Sequence, residues 1–324
     1  MIYEIKETKK KEGYKQLYII ESFIDYIELI KYLKKNYPDN NWFRGQENMN
    51  YSLLPNILRE NLYQNRDWMG NKQELVEVSR NINYYRNSEV LFRNDDYVVK
   101  LIKDKIKNNS SLEYFLNLKD IEIKFLAQHY GAKTRLLDWT TDPLVALFFA
   151  TNNIKINSHN IKMPILSEIE DIYELNCCCV YLLNPNTLNS NSLLNRKKEK
   201  VNKVLDINSN DDYDIFMYNI DNLTPIALTG GLSNPRVCRQ SGHFTLHGSF
   251  LQPLNYFTPI REDMIKILIP FEYVNEIQVY LLSLGLTNDT IYEKNELEKI
   301  CLEVNEKLNN SFLNSVFEYD KNEE

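Results

Sequence analysis

The sequence predicts an α+β fold, with a mixed or antiparallel sheet core flanked by helices, and three observations carry that expectation. Apolar residues at helical spacing dominate the N-terminal part. Short strand patterns interspersed with helices follow. Those strands do not recur in the even strand–helix–strand rhythm of a parallel sheet. The 324 residues include 43% hydrophobic and 26% charged side chains, ordinary for a globular chain that can bury a sizeable core. The 9 Gly and 10 Pro are too few to build Pro/Gly-rich linkers, so one domain is expected rather than two.

The elements follow in order. Residues 2–6 alternate like a strand. Ser22 and Asp25 form a capping box, and Phe23, Tyr26, Ile27, Ile30 and Leu33 give the next helix one apolar face, ending near Asn36-Tyr37-Pro38. Trp42-Phe43-Arg44-Gly45 reads as a short strand. From Leu53 to about Leu126 the pattern is mainly helical, and Gly131 is a natural C-terminal stop. Asp142 suits an N-cap and Pro143 a first helical position, and the run Leu144 to Ala150 is apolar all round, as in a buried helix. Cys177 to Leu183 should be a central strand. Residues 152–175 and 186–223 are polar and read as two insertions, the second with some helix around Arg196 to Leu205. Strands are expected at Gly242 to Phe250 and at Met264 to Ile269, then helices at about 271–284 and 293–308.

Charge and cysteine content narrow the function classes. A net charge of −7 argues against broad binding to a phosphate backbone, while leaving room for a local basic pocket. Three of the five Cys stand together at Cys177-Cys178-Cys179, where a strand turns the first and third to one side and the second to the other. No paired metal-ligand spacing occurs, so no metal is expected. The odd count without a disulfide framework fits a reducing compartment. No apolar run approaches the roughly 20 residues of a membrane span, and the N-terminus lacks a signal-peptide pattern. A cytoplasmic protein without a membrane partner is therefore expected.

Polar residues concentrate in four places. Arg44 stands at a strand end beside Gly45, where it either approaches an anion closely or pairs with a carboxylate; Gln46 follows it. Gln128, His129, Thr134, Arg135, Asp138, Trp139 and Thr140 fall between two apolar helices, a density that is costly unless they satisfy one another or a ligand. Asp138 is free to pair with Arg135, with Arg44, or with neither. In the third stretch, Arg236 and Gln240 precede a strand in which His243, Thr245 and His247 share the face opposite Phe244 and Leu246. Glu262 and Asp263, in front of Lys266-Ile267-Leu268-Ile269-Pro270, suit a turn.

Together these segments resemble the FRG domain, named for the tripeptide seen here as Phe43-Arg44-Gly45. The resemblance includes Gln128-His129-Tyr130-Gly131, the stretch Thr134-Arg135-Leu136-Leu137-Asp138-Trp139-Thr140, Pro143, the helix through Ala150, and Arg236, Gln240, Gly242 and Phe244. It spans roughly residues 20–305. A family name does not fix chemistry.

A second, weaker likeness is to ADP-ribosyltransferases. Phe43-Arg44-Gly45, then Asp138-Trp139-Thr140-Thr141 with Phe149-Ala150, then Ile267-Leu268-Ile269-Pro270 look like three of their elements, although Lys266 stands where that family's catalytic Glu is expected. This likeness implies an ADP-ribosyltransferase-like fold and an NAD-using transferase. Arg44, Gln46, Gln128, Thr134, Arg135, Trp139, Arg236 and Gln240 would bind NAD, and Asp138, His129 and His247 would act in catalysis. Glu262 or Glu293 would serve as the carboxylate if Asp138 does not. The acceptor would be protein or nucleic acid. A bacterial toxin or anti-phage effector, with an antitoxin or defence-system partner, fits such an enzyme. The alternative is a non-catalytic module binding a nucleotide or nucleic acid, and a hydrolase acting through His129 or the His243/His247 pair ranks last.

Overall fold

The structure, a computed structural model, describes residues 2–5, 13–59, 96–155, 175–192, 202–218, 224–230, 239–248, 253–292, 299–304 and 306. Its first helix, α1 (Phe23–Asn36), begins at the expected cap. Ser22 is extended, and its hydroxyl accepts from Asp25 N at 3.1 Å, which satisfies one donor that a helix start leaves open. The Asp25 carboxylate accepts from Glu21 N rather than from the cap residue's own amide. Phe23, Tyr26, Leu29, Ile30 and Leu33 are buried on one face, whereas Ile27, expected there, is exposed.

The strands are β1 (Ile2–Glu4), β2 (Gln16–Ile20), β3 (Trp42–Gln46), β4 (Leu136–Thr140), β5 (Cys177–Leu183), β6 (Leu205–Asp206), β7 (Ile226–Thr229), β8 (Gly242–Leu246) and β9 (Ile265–Pro270). They form one nine-stranded sheet in the order β1-β2-β9-β5-β3-β4-β8-β7-β6. β2 pairs with β9, and β6 with β7, in parallel; the other pairs are antiparallel. The fold is thus α+β with a mixed sheet, as the sequence predicts. The stretch 186–223 is not wholly outside it. Leu205–Asp206 extends the sheet edge as a strand, where helix had been expected up to Leu205, and a helix follows at Asn210–Tyr218. Most of the helix expected at 196–205, much of the 152–175 stretch, and residues 293–298 of the last helix lie outside the described residues.

Period-two alternation divides β5 between two cores, as expected. Cys178, Val180 and Leu182 pack with α1 residues, while Cys177, Cys179, Tyr181 and Leu183 pack with Leu17, Trp42 and Trp139 on the other side. Burial pushes the Cys177 and Cys178 thiols up, so they serve as small core groups rather than nucleophiles.

Two further helices, α2 (Asp120–His129) and α3 (Pro143–Thr151), frame the middle of the sheet. The Asp142 carboxylate accepts from Leu144 N at 2.8 Å and Val145 N at 3.4 Å, with Pro143 at the first turn. The apolar face of α3 lies directly on β3, and Gly45 makes that approach possible. A Cβ at Gly45 would stand 2.0 Å from Ala146 O and 2.5 Å from Ala150 N, both helix backbone. The glycine of Phe43-Arg44-Gly45 therefore serves helix packing, where the sequence had suggested room for a ligand.

On β8, Phe244 and Leu246 enter one core, and His243 and Thr245 face the other way, as predicted. On that other face Thr245 is fully buried and His243 half-buried. His243 stacks on Trp42 with centroids 4.9 Å apart, and its Nδ1 meets Thr229 Oγ1 at 2.9 Å. Burial pulls its pKa down from 6.5 to about 4.

Two outcomes are expected. Gly45→Ala should destabilise the protein by about 1–3 kcal/mol or more, because backbone cannot move aside as a flexible side chain can; denaturant unfolding measures it. Between pH 6.5 and about 4 the unfolded chain binds a proton at residue 243 that the folded chain refuses. Stability should therefore fall as pH drops through that window. His243→Phe should flatten the fall, as read by melting temperature against pH.

Candidate functional site

The sheet has one thin seam. β3 meets β5 through five register pairs, and β4 meets β8 through five, but β3 and β4 share only Phe43↔Thr140. Beside the seam lies a cleft of about 490 Å³, lined by the β3 and β4 residues, the end of α2 and a C-terminal wall. That size is within the roughly 300–1,000 Å³ of small-molecule sites. A cavity of about 520 Å³ lies between the end of α3 and the helix α4 (Val274–Ser283), but Lys155 is its only charged lining residue among those described. The chemistry concentrates at the seam.

Arg44 and Asp138 face each other there. Arg44 Nη1 donates to Asp138 O at 2.6 Å and stands 3.9 Å from Asp138 Oδ2. Of the pairings left open by the sequence, the structure brings Asp138 to Arg44. By donating to the carbonyl the guanidinium spans the seam through backbone while keeping its charge near the carboxylate. Gln128 Nε2 donates to the same Oδ2 at 2.9 Å. Asp138 Oδ1 is screened from water and has no hydrogen-bond partner among the described residues. The Asp138 side chain as a whole is 36% exposed and lines the cleft, so the carboxylate is suited to accept from a ligand N–H or O–H.

Most of the other predicted residues fall into two groups. His129, Gln128, Trp139, Thr140 and Gln240 line the cleft with Arg44 and Asp138. The Trp139 indole is not a stacking surface, however: it is 2% exposed and donates from Nε1 to Thr245 Oγ1 in the core opposite. Gln240 is tied down, its Nε2 donating to Ile291 O and its carbonyl accepting from Thr140 Oγ1. Outside the cleft lining are Gln46, Thr134, Arg135 and His247, all buried. Arg135 and His247 clasp each other: His247 N donates to Arg135 O at 3.0 Å, and Arg135 Nη1 to His247 O at 2.8 Å. His247 is thus placed as an interior group, at 0% exposure, rather than at the cleft. Arg236 lies outside the described residues.

Lys266, which the likeness to ADP-ribosyltransferases sets where a Glu is expected, does not enter the cleft either. It is buried, with Nζ 5.2 Å from the Tyr14 ring centroid and 5.5 Å from that of Tyr181. Asp263 pairs with Lys15 at 2.7 Å, Glu262 caps a short helix, and Glu293 is outside the described residues. Among the described lining residues Asp138 is the single carboxylate.

Sequence reasoning missed the aromatic wall. Phe149, from α3, and Tyr292, just after the helix Asn288–Ile291, both line the cleft with rings 5.8 Å apart and steeply inclined to each other. Phe149 was hidden in an all-apolar helix, and Tyr292 is far along the chain in a stretch without motif. Among the described residues no group of three or more His, Cys, Asp or Glu is arranged to hold a metal ion, and no helix is long and apolar enough to cross a membrane.

No curated protein and no solved structure matches the chain. The family model of the FRG domain matches residues 39–159, the stretch that runs from just before β3 to just after α3 and supplies Arg44, Gln128 and Asp138. Residues 39–159 are thus the part of the chain that matches the FRG domain, and Arg44, Gln128 and Asp138 all lie within it.

Proposed function

We propose that the cleft binds NAD and that the protein is an ADP-ribosyltransferase-type enzyme acting on a protein or nucleic-acid acceptor. The observation that carries this reading is the placement of the Arg44 guanidinium and the Asp138 carboxylate side by side in one aromatic-walled cleft. The lining fits such a ligand. Arg44 offers a planar fork of donors to phosphate oxygens. Phe149 and Tyr292 offer ring faces or edges to a planar heterocycle. The Asp138 carboxylate, partly exposed at the cleft, offers an acceptor to a ribose hydroxyl or an amide N–H.

NAD supplies an activated ribosyl carbon: its bond to the nicotinamide nitrogen breaks, the electron pair leaves with nicotinamide, and an acceptor oxygen or nitrogen bonds in its place with release of a proton. Asp138 would stabilise the positive charge that develops at that carbon, the role for which Lys266 is both the wrong sign and in the wrong place. His129, which lines the cleft, would take the acceptor's proton. Arg44 would hold the anionic end so that the reacting carbon lies near Asp138.

One observation favours a second reading, a non-catalytic nucleotide-binding module. Asp138 already has two neighbours, Gln128 and Arg44, and a carboxylate so held can be a structural group.

Incubation with labelled NAD and separated protein and nucleic-acid fractions decides between them. Label transfer is expected with the wild type. Arg44→Ala should weaken NAD binding roughly 10- to 100-fold with folding retained, and a collapse of thermal stability instead would make Arg44 a strut of the seam. Asp138→Asn should slow transfer by roughly 10²-fold or more with a smaller change in NAD affinity. Saturable NAD binding without transfer in any fraction would favour the binding module, and neither binding nor transfer would overturn the NAD reading.

A further inference from the structure

The polar residues behind Asp138 form a chain of hydrogen bonds whose direction is fixed at one end. Leu136 N donates to Thr134 Oγ1 at 3.1 Å. A backbone amide can only donate, so the Thr134 hydroxyl must spend its own proton elsewhere, and Gln128 Oε1 accepts it at 2.7 Å. With its oxygen engaged, the Gln128 amide turns its Nε2 toward Asp138 Oδ2, 2.9 Å away. Thr134 is fully buried and Gln128 is 6% exposed, so water does not compete for these bonds. Each link polarises the next.

We propose that Thr134 is a positioning residue: it sets the orientation of the Gln128 amide and so holds Asp138 as the hydrogen-bond acceptor of the cleft. The consequence for ligand chemistry rests on the proposed use of the cleft. A ligand meeting Asp138 must bring an O–H or N–H donor there, with its anionic or carbonyl group toward Arg44. Thr134 itself does not line the cleft, so it acts through Gln128 and Asp138.

The 324-residue chain tests this by NMR without any ligand. In the wild type the Thr134 hydroxyl proton should be observable and slow to exchange with water, and the Gln128 side-chain amide should give a protected, resolved pair of signals. Thr134→Ser should keep both features, because it retains the hydroxyl. Thr134→Val, close to isosteric but unable to donate, should lose the Gln128 amide protection by about tenfold in exchange rate while backbone signals remote from 128–138 stay in place. A rapidly exchanging hydroxyl in the wild type overturns the proposal even if Thr134→Val fails to fold. So does unchanged Gln128 protection in Thr134→Val, or loss of protection in Thr134→Ser. NAD is then titrated into the same samples. Failure of NAD to bind wild type would count against the NAD reading alone, since the hydroxyl and amide signals are read before any ligand is added.

Discussion

The hydrogen bond from Arg44 Nη1 to Asp138 O is the contact around which the cleft is organised. Seven of the eight junctions in the sheet are conventional ladders, but β3 and β4 touch through one register pair. Backbone groups freed by such a gap need partners, and a buried one left without costs about 1–3 kcal/mol. A guanidinium answers that need at Asp138, since it can reach a carbonyl and still present its charge to the cleft. The neighbouring strand residue must then be glycine, because α3 lies against β3 too closely for any Cβ at position 45. Phe43, Arg44 and Gly45 thus divide three tasks: core packing, bridging the seam, and admitting the helix.

Polarity is distributed around this junction in layers. Facing the cleft are a cation, a carboxylate, His129 and the rings of Phe149 and Tyr292. Gln128, at the cleft wall, and Thr134 behind it orient the carboxylate, and Arg135 and His247 lock the end of β4 to the end of β8. Trp139 and His243 belong to the second core on the far face of the sheet. Groups adjacent in sequence along β4 therefore serve different sides of the sheet: Asp138 the cleft and Trp139 the interior.

The elements legible in sequence were those with local signals. Ser22 and Asp142 announced their helices because a cap bonds to residues two or three positions away. The Cys177 to Leu183 strand was legible because an unbroken apolar run bounded by polar residues fits a strand buried on both faces. Arg44, Gln128 and Asp138 stood out as polar groups beside buried elements, and the structure brings all three together. The rest depended on long-range pairing. That Thr134, Arg135 and His247 turn inward follows from how the ends of β4 and β8 meet, and that Tyr292 reaches the cleft follows from the path of the C-terminal segment past Gln240. Nothing in a local window encodes either. The Leu205–Asp206 strand was equally hidden, since a two-residue edge strand has no periodicity to detect.

If the seam is where this protein meets its ligand, NAD should protect the seam and little else. Hydrogen–deuterium exchange of the whole chain, with and without NAD, reads this directly. The account predicts slowed exchange confined to peptides covering residues 42–46 and 128–140 and the cleft walls at Phe149 and Tyr292, with the β1, β2 and β9 edge unchanged. Slowed exchange centred on the cavity between α3 and α4, or none anywhere at saturating NAD, would contradict it.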